Sequence, residues 1–390
     1  MNKIFLKEII EKPITGEWGS EGNDVKVLRT TNFSNNGFLK LKSIVNRSIP
    51  KQKIDKKKLC KGDIIIEKSG GGPNQPVGRV VFFDIEGEYL CNNFTAILRP
   101  KTEKTFPKYL HYLLFASHKF RVTEMFQNKT TGIINLQLSR YVEKLQIPLP
   151  DLKTQKQIAS ILDDAQALKQ KTEQILKEYD ELAQSIFLDM FGDPLTNPKG
   201  WEKERLESFG YWKSGGTPSR NVPEYFEGNI PWLSSGELNE MYVSNSKERI
   251  TDTAISMSNA KLIEPGSLLL GMYDTAALKS SISTSVLSCN QAIAYSKIDS
   301  DKADIVYLYY LIQIGKEHYR RLQRGVRQKN LNLSMIKSMQ IISPALTLQN
   351  QFAEKIKLIE QQKELAKQEL KESEDLFQAL LQKAFKGELV

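Results

Sequence analysis

The residues of this chain that could do chemistry do not form a reaction centre. Gly70-Gly71-Gly72-Pro73 follows an apolar run but lacks the glycine spacing and helix start of a dinucleotide-binding loop. Glu369-Leu370-Lys371 could belong to a nuclease motif, yet it lies in a heptad-patterned segment, where charges form a solvated helix face. A Gly-Lys-Ser/Thr phosphate loop and the Asp/Asn-Pro-Pro-aromatic signature of amino-methyltransferases are missing. We therefore expect no catalysis and no bound cofactor or metal in this chain.

Histidine and cysteine spacing predicts neither a metal site nor a disulfide framework. The histidines have no second His or Cys at ligand spacing: His111, His118 and His318. The cysteines are odd in number and widely separated: Cys60, Cys91 and Cys289. We expect each cysteine to be a small buried hydrophobic residue, and His111 and His118 to pack on a helix.

Hydropathy predicts a soluble, cytoplasmic protein with no membrane partner. The sequence has no run of about 18 apolar residues that could span a bilayer. Residues 1–8 lack the apolar core of a signal peptide.

The net charge of +9 is unevenly distributed along the sequence. Residues 1–153 carry +11 and residues 194–346 carry +3, whereas 154–193 carry −4 and 347–390 carry −1. A polyanionic partner is therefore expected at the basic segments rather than at the acidic ones. Charge alone does not decide whether that partner is a nucleic acid.

Glycine-rich polar loops in the basic segments could bond phosphates and base edges. They lie at residues 68–75, 129–132, 213–220 and 324–330. Glycine lets the backbone approach a ligand closely, and Arg, Lys, Asn, Gln, Ser and Thr are the side chains that bond DNA. Ordinary surface turns have the same composition, so that alternative remains open on composition alone.

A basic cluster lies in the last of these loops. Its five cations fall within ten residues: Arg320, Arg321, Arg324, Arg327 and Lys329. The cluster begins on a predicted helix and precedes a predicted strand at Leu331–Ser334. Because Arg pairs with phosphate or bidentately with guanine, we expect some of these residues to contact DNA. Ion pairs with acidic helix faces or with a protein partner are the alternative.

The elements that position these loops occur twice. Ile147–Ala159 returns as Ile341–Ala353, 194 residues later. Three shorter pairs accompany it: Leu59–Ile66 with Leu262–Leu270, Tyr109–Leu114 with Tyr307–Ile312, and Leu136–Ser139 with Leu331–Ser334. This period is far longer than the roughly 20 to 50 residues of a solenoid repeat. The sequence therefore predicts a duplicated domain, each copy followed by a long helix.

Heptad patterns predict the two long helices. The seam positions of the first are Ile158, Ala165, Thr172, Tyr179 and Ile186, alternating with Ile161, Leu168, Ile175 and Leu182. Those of the second are Phe352, Ile359, Ala366, Ser373 and Leu380, alternating with Ile356, Lys363, Leu370, Phe377 and Ala384. We expect the helices to bury these stripes against each other as an antiparallel coiled coil, with homodimerisation as the alternative. Thr154 and Gln157 predict a capping box at the first helix start.

The predicted fold class is α+β, with two similar α/β domains separated by the two long helices. The predicted segments are a first domain at 1–153, a helix at 154–193, a second domain at 194–346 and a helix at 347–390. Predicted strands lie at 25–28, 63–66, 77–83, 93–98, 268–270 and 292–295, with helices from Pro107 and from Asp304 to about Gly325.

The chain resembles the DNA specificity subunit of type I restriction-modification systems over essentially its whole length. The resemblance depends on the order, spacing and duplication of several motifs. They are Pro148-Leu149-Pro150 with Gln155 and Ile158-Ala159, Met190-Phe191-Gly192-Asp193-Pro194, Asn197-Pro198-Lys199-Gly200-Trp201, Gly215-Gly216-Thr217-Pro218-Ser219, and Ile230 to Leu238. The sequence departs from the family pattern at Asp151 and Thr154, and the first domain lacks a clear Gly-Gly-Thr-Pro loop.

The resemblance implies a protein that selects DNA for other subunits. Two target-recognition domains would each read half of a bipartite, asymmetric site in double-stranded DNA. The helices would set the spacing and dock two methyltransferase (modification) subunits, and restriction/translocase subunits would complete the complex. S-adenosylmethionine, ATP and Mg would be bound by those partners.

The loops and the resemblance together give the candidate DNA contacts. In the first half they are Arg29, Thr31, Asn32, Lys68, Ser69, Asn74, Gln75, Arg79, Lys129, Thr130 and Thr131. In the second half they are Lys213, Thr217, Ser219, Arg220, Ser234, Ser235, Tyr273, Arg320, Arg321, Arg324, Arg327, Gln328 and Lys329.

Two other classes of protein remain as alternatives. One is an enzyme with a nuclease or methyltransferase fused to recognition domains, which the missing motifs disfavour. The other is a coiled-coil scaffold, or a DNA-binding module, without a restriction-modification role. Neighbouring methyltransferase and translocase genes would favour the specificity subunit over both.

Overall fold

The computed structural model describes residues 3–72, 75–130, 133–322 and 330–389. Six candidate contact residues lie outside these ranges: Asn74, Thr131, Arg324, Arg327, Gln328 and Lys329. The chain divides into unit 1, Met1–Glu173 with Gln368–Val390, and unit 2, Gln174–Lys367. Each long helix therefore contributes residues to both units.

Unit 1 is built of short strands and helices. Its strands are β1 (Lys3–Phe5), β2 (Ile14–Thr15), β3 (Ser20–Leu28), β4 (Val45–Ser48), β5 (Ile64–Glu67), β6 (Ser69–Gly71), β7 (Val80–Phe82), β8 (Tyr89–Cys91), β9 (Thr95–Leu98), β10 (Gln127–Thr130), β11 (Ile133–Leu136) and β12 (Gln146–Pro148). Its short helices are α1 (Leu6–Ile9), α2 (Lys51–Lys57), α3 (Pro107–Lys119) and α4 (Leu138–Lys144), and the first long helix is α5 (Leu152–Phe191). The central sheet has the order β2-β9-β5-β7.

Unit 2 has the same general construction. Its strands are β13 (Lys203–Arg205), β14 (Lys213–Ser214), β15 (Ile230–Leu233), β16 (Tyr242–Val243), β17 (Glu248–Ile250), β18 (Ser267–Gly271), β19 (Ser280–Ser283), β20 (Ser288–Cys289), β21 (Ile293–Lys297) and β22 (Gln340–Ile342). Its helices are α6 (Asp252–Ser256), α7 (Ile305–Tyr319), α8 (Leu333–Lys337) and the second long helix, α9 (Leu346–Lys386). The central sheet has the order β14-β21-β18-β19-β16. The predicted mixture of helices and strands is confirmed.

The duplication extends to individual hydrogen bonds. In unit 1 the buried Gln155 accepts from the Phe106 backbone N–H at 2.7 Å and donates to the Pro150 carbonyl at 2.8 Å. In unit 2 Gln349 makes the equivalent bonds to Asp304 at 2.9 Å and Pro344 at 2.8 Å. Each glutamine thereby joins the start of its long helix to the start of α3 or α7, since Phe106 and Asp304 are the residues that precede those helices.

A close backbone approach also occurs in both units. A Cβ added to Gly16 would lie 2.1 Å from the Asn92 carbonyl oxygen, and one added to Gly215 would lie 2.3 Å from the Asn290 carbonyl oxygen. No side chain larger than hydrogen fits there. Gly215 begins the Gly-Gly-Thr-Pro loop, so Gly16 marks the corresponding loop of the first domain.

The long helices pack against each other in antiparallel orientation. In unit 1 the N-terminal part of α5, with Ile158 and Leu162, shares a core with Phe377 and Leu381 of α9. In unit 2 the C-terminal part of α5, with Phe187 and Phe191, shares a core with Phe352 and Ile356. The expected antiparallel pair is therefore confirmed.

The second predicted seam of α5 is wrong. Leu168 and Leu182 are 50% and 46% exposed, whereas Leu162 and Phe187 are fully buried. The reason is that α3 and α7 also pack on α5, which widens and rotates its buried face beyond a two-helix seam. In α9 the predicted seam positions are all buried or half-buried, as the heptad pattern predicts.

Three local predictions are also corrected. Helix α5 begins at Leu152, because the Asp151 carboxylate accepts from the Lys153 and Thr154 N–H groups at 2.9 and 3.0 Å. The Asp151 carboxylate therefore caps the helix in place of the predicted capping box of Thr154 and Gln157. The segment Leu331–Ser334 is not a strand. Asn332 caps helix α8, which begins at Leu333, by accepting from the Met335 N–H at 2.9 Å. Helix α7 ends at Tyr319, and Gly325 lies outside the described residues.

Candidate nucleic-acid interface

In unit 1 two of the predicted contact loops form one small sheet. Strand β11 pairs with β10 and with β6, so residues 69–71 lie beside the 127–136 hairpin. Lys129 and Thr130 end strand β10. The Ser69 hydroxyl donates to the Asn135 side-chain oxygen across β6 and β11, and Gln75 is exposed. The fold therefore assembles a polar surface from segments about 60 residues apart.

Unit 2 repeats this arrangement with different side chains. Leu331 N–H donates to the Met272 carbonyl at 2.7 Å, as Leu136 N–H donates to the Lys68 carbonyl at 2.8 Å. The next residue along, Tyr273, forms a β-bridge with Asn330. Tyr273 therefore occupies the backbone position that Ser69 occupies in unit 1.

The Gly-Gly-Thr-Pro loop lies at the same end of the central sheet of unit 2. The Thr217 hydroxyl donates to the side chain of Gln291. The neighbouring Ala292 carbonyl accepts from Met272 N–H at 2.8 Å, which brings Thr217 and Tyr273 to one end of β18 and β21. Ser219 is exposed in the same loop.

Arg79 is held inside unit 1. Its guanidinium donates to both carboxylate oxygens of Glu67, at 2.9 and 2.8 Å. Glu67 is only 5% exposed at its side chain and Arg79 only 14%. The hydrogen bonds to Glu67 raise the pKa of Arg79, so this bidentate pair is an internal support of the loop that carries Gln75.

Asn32 and Arg29 have partners within the domain as well. Asn32 is buried and donates to the Lys40 and Lys42 carbonyls, both at 3.0 Å. Arg29 donates to the Ser43 carbonyl at 3.0 Å and is half-buried. Thr31, between them, is exposed and remains available for a ligand.

Arg220 is partnered but accessible. Its guanidinium lies 4.2 Å from the Phe226 ring centroid and 5.1 Å from that of Trp232, and its Nη2 donates to Glu248 at 2.8 Å. About half of both charged side chains is exposed. Both terminal nitrogens donate to Glu248, and the stacking holds the guanidinium at a half-exposed position that a phosphate can reach.

The other candidates of unit 2 differ in accessibility. The Ser234 hydroxyl donates to Glu237 at 2.7 Å in a helix cap, and Ser235 begins that short helix. Lys213 is exposed, with its ammonium 5.0 Å from the Tyr211 ring centroid. Arg321 is exposed, whereas Arg320 pairs with Glu317 at 3.2 Å, one of the ion pairs that the sequence left as an alternative.

Asn135 and Gln291 were missed by the sequence reasoning, and Asn330, although inside the predicted loop at 324–330, was not among the candidate contacts. They contact the candidate loops directly. Asn135 and Asn330 had a sequence signal, because each precedes the repeated leucine at 136 or 331. Gln291 had none, since its contact depends on how Gly215 approaches the strand.

Metal binding and membrane insertion would each require a recognisable arrangement of side chains among the described residues. Among them no group of His, Cys, Asp and Glu side chains could hold a metal ion. None of the described helices combines the length and apolar content needed to cross a membrane. Buried His111 contacts the Gly37 carbonyl through Nε2 at 3.0 Å, and burial lowers its pKa to about 4. Cys91 and Cys289 are buried as expected, but Cys60 is exposed, because it lies at the turn before β5.

Comparison with known proteins connects this geometry to a family. The specificity subunit of the type I restriction enzyme EcoR124I/EcoR124II from Escherichia coli is 30% identical over 192 residues, 45% of each chain. The match thus spans less than half of that protein. The putative type I restriction enzyme MjaX specificity subunit of Methanocaldococcus jannaschii is 22% identical over 388 residues, 95% of this chain and 88% of that one.

A solved structure has a similar fold. The crystal structure of a type I restriction-modification S subunit from M. genitalium superposes with a TM-score of 0.58 at 15% identity, covering 98% of this chain and 96% of that chain. The family model for the type I restriction modification DNA specificity domain matches residues 1–178 and again residues 198–374. Each match covers one copy of the repeat together with the first part of the long helix that follows it. The chain therefore belongs to the family of type I restriction-modification DNA specificity proteins.

Proposed function

We propose that each copy of the duplicated domain reads one half of a bipartite, asymmetric site in double-stranded DNA. The repeated loop platform is the observation that carries this proposal. The same backbone bonds hold Ser69 in unit 1 and Tyr273 in unit 2. A shared scaffold that presents different side chains suits two half-sites of different sequence.

The contacts expected from each platform are of two kinds. Exposed cations such as Lys213 and Arg321 would bind phosphates and give affinity without choice of sequence. Side chains on the platform, including Gln75, Thr217 and Tyr273, would contact base edges. Each well-made bidentate pair with a base contributes about 1–3 kcal/mol of discrimination.

The first test joins methylome sequencing of the host with binding by the isolated chain. Methylome sequencing should return a bipartite motif, and a duplex carrying both halves should bind the purified chain far more tightly than duplexes with either half scrambled. Incubation with S-adenosylmethionine should leave that DNA unmethylated, since the catalytic groups are expected on partner subunits. Binding that ignores both halves of the motif would contradict the proposal.

We further propose that the long helices dock two methyltransferase subunits, to which restriction subunits are added. Leu182 in unit 2 and Leu376 in unit 1 are 46% and 47% exposed. They stand 194 residues apart, at equivalent positions of the repeat. Equivalent exposed leucines suit two copies of one partner. S-adenosylmethionine, ATP and Mg would be bound by these partners, and a complex that acts on DNA would work in the cytoplasm.

Leu182→Glu and Leu376→Glu should each weaken the binding of one methyltransferase copy at least tenfold. The buried leucine contributes about 1.5–3 kcal/mol, and a buried unpaired carboxylate opposes docking further. Native mass spectrometry should show one bound copy for each single variant and none for the double variant. Leu262→Glu changes an equally exposed leucine of a surface loop and serves as the matched control. Two bound copies with the double variant would exclude these leucines from the interface.

A further inference from the structure

Unit 2 contains a cavity beside its long helices. It has a volume of about 410 Å³ and lies between α5, α7, α9 and the loop at residues 239–241. Its polar lining includes Asp180, Glu240, Tyr309, Tyr310, Gln313 and Lys363. This volume is in the range of ligand-binding cavities, roughly 300–1,000 Å³.

A phenylalanine ring occupies the corresponding space in unit 1. The Phe377 ring packs against Tyr112 and Phe115, with centroids 6.3 and 6.5 Å apart. The helix repeat of 194 residues places Ala183 at the position of Phe377. Unit 2 therefore lacks the ring that unit 1 provides from its own helix.

The tyrosine hydroxyls of the cavity also differ from their counterparts. In unit 1 Tyr112 donates to Asp163 at 2.7 Å. In unit 2 the equivalents of Tyr112 and Asp163 are Tyr310 and Lys357, which offers no acceptor. Among the described residues neither Tyr309 nor Tyr310 hydroxyl has a hydrogen-bond partner. Burial raises the pKa of both, so both remain protonated and can donate to an incoming group.

The charges of the cavity are already paired. Lys363 lies 2.8 Å from Asp180 and 2.7 Å from Glu360, and Lys367 lies 3.0 Å from Glu240. The lining itself contains two acids, Asp180 and Glu240, and two lysines, Lys363 and Lys367, so it has no net charge to attract an ion. The lining therefore favours a neutral aromatic group accompanied by hydrogen-bond acceptors.

An apolar surface extends beyond the cavity. A second cavity of about 400 Å³ shares Glu240 and Lys367 and is also lined by Gln361. Leu358 and Leu365, three residues before and four after Gln361, are 63% and 56% exposed. Such neighbours on a helix form one patch. In the first copy of the repeat the leucine positions are Asp164 and Lys171, so the equivalent positions of unit 1 are charged. The patch of unit 2 is larger than a small ligand needs.

We propose that this cavity receives an aromatic side chain from a methyltransferase subunit. The two docking positions of the chain are then unequal, because unit 1 fills the corresponding space with its own Phe377. Main-chain carbonyls next to the inserted ring would accept from Tyr309 and Tyr310. This inference rests on the proposed docking of methyltransferase subunits along the long helices. It adds that the copy bound at unit 2 binds first and more tightly.

The test is a calorimetric titration of the chain with the purified methyltransferase subunit of its own system. Wild type should show two binding events that differ at least tenfold in affinity. Tyr309→Phe with Tyr310→Phe removes two hydroxyls that make no hydrogen bond within the part of the chain that the structure describes, so folding should be unaffected. The tighter event should weaken about tenfold, as expected for two lost hydrogen bonds. Gln184→Trp, at an exposed position of α5 that lines the cavity, should weaken the same event by filling the cavity from within.

Tyr112→Phe is the matched control, because it removes the equivalent phenol in unit 1 and should leave both affinities unchanged. Two events of equal affinity in wild type, or an unchanged tighter event in the Tyr309→Phe, Tyr310→Phe variant, would overturn the inference. Tight binding of a small aromatic compound to the cavity, with no effect of the cavity variants on binding of the subunit, would also overturn the inference. A complete lack of methyltransferase binding by wild type would instead count against the proposed function.

Discussion

Arg79→Ala is expected to destabilise unit 1 by about 3–5 kcal/mol, because it leaves a buried carboxylate without its cation. Glu67 is 4% exposed and takes both of its hydrogen bonds from Arg79. The free energy of unfolding, measured with urea, should fall by that amount. Binding to the half-site read by the first domain should fall with it, through loss of structure.

Two variants separate this structural role from direct contact with DNA. Replacing both Glu67 and Arg79 by methionine should restore much of the stability, since a buried ion pair exchanged for apolar residues is often neutral. Arg220→Ala removes a similar but half-exposed pair and should cost less than about 1 kcal/mol. If Arg79→Ala kept wild-type stability and still lost half-site binding, Arg79 would be a DNA contact after all.

The sequence could predict those features of the fold that depend on patterns within one segment. The recurrence of Ile147–Ala159 at Ile341–Ala353 predicted the duplication, and the two heptad stripes predicted the antiparallel helices. It could not predict which face of α5 is buried, because that depends on where α3 and α7 dock. Leu162 and Phe187 are therefore buried where heptads favoured Leu168 and Leu182.

The candidate site was predictable as a set of loops but not residue by residue. Arginine and asparagine side chains suit DNA and internal partners equally well, and the sequence does not reveal which partner is near. Glu67 lies 12 residues from Arg79, and Glu248 lies 28 from Arg220. Only the fold shows that Arg79 is largely buried while Arg220 is half-exposed.

The helix pair carries equivalent ion pairs in its two halves. Lys169 of α5 pairs with Glu374 of α9 at 2.7 Å in unit 1, and Lys363 of α9 pairs with Asp180 of α5 at 2.8 Å in unit 2. Each lysine and each acid is 194 residues from its counterpart. A segment between these pairs can therefore be removed from both helices while both pairs are kept.

Removing residues 171–177 and 366–372 should shorten the preferred gap between the DNA half-sites and leave the half-sites unchanged. One heptad from each helix is about 10 Å of length, which corresponds to roughly three base pairs of duplex. The seam keeps its period, and the loops around Ser69 and Tyr273 are untouched. Selection from a library of duplexes with variable gaps would measure the change.

Removing residues 171–177 alone is the matched control for this deletion. The two helices would then be out of register, because Lys169–Glu374 and Lys363–Asp180 could not both form, and thermal stability should fall. In the double deletion stability should remain close to wild type, so a new preferred gap can be assigned to helix length. An unchanged gap, or a changed half-site with the original gap, would show that the helices do not set the spacing.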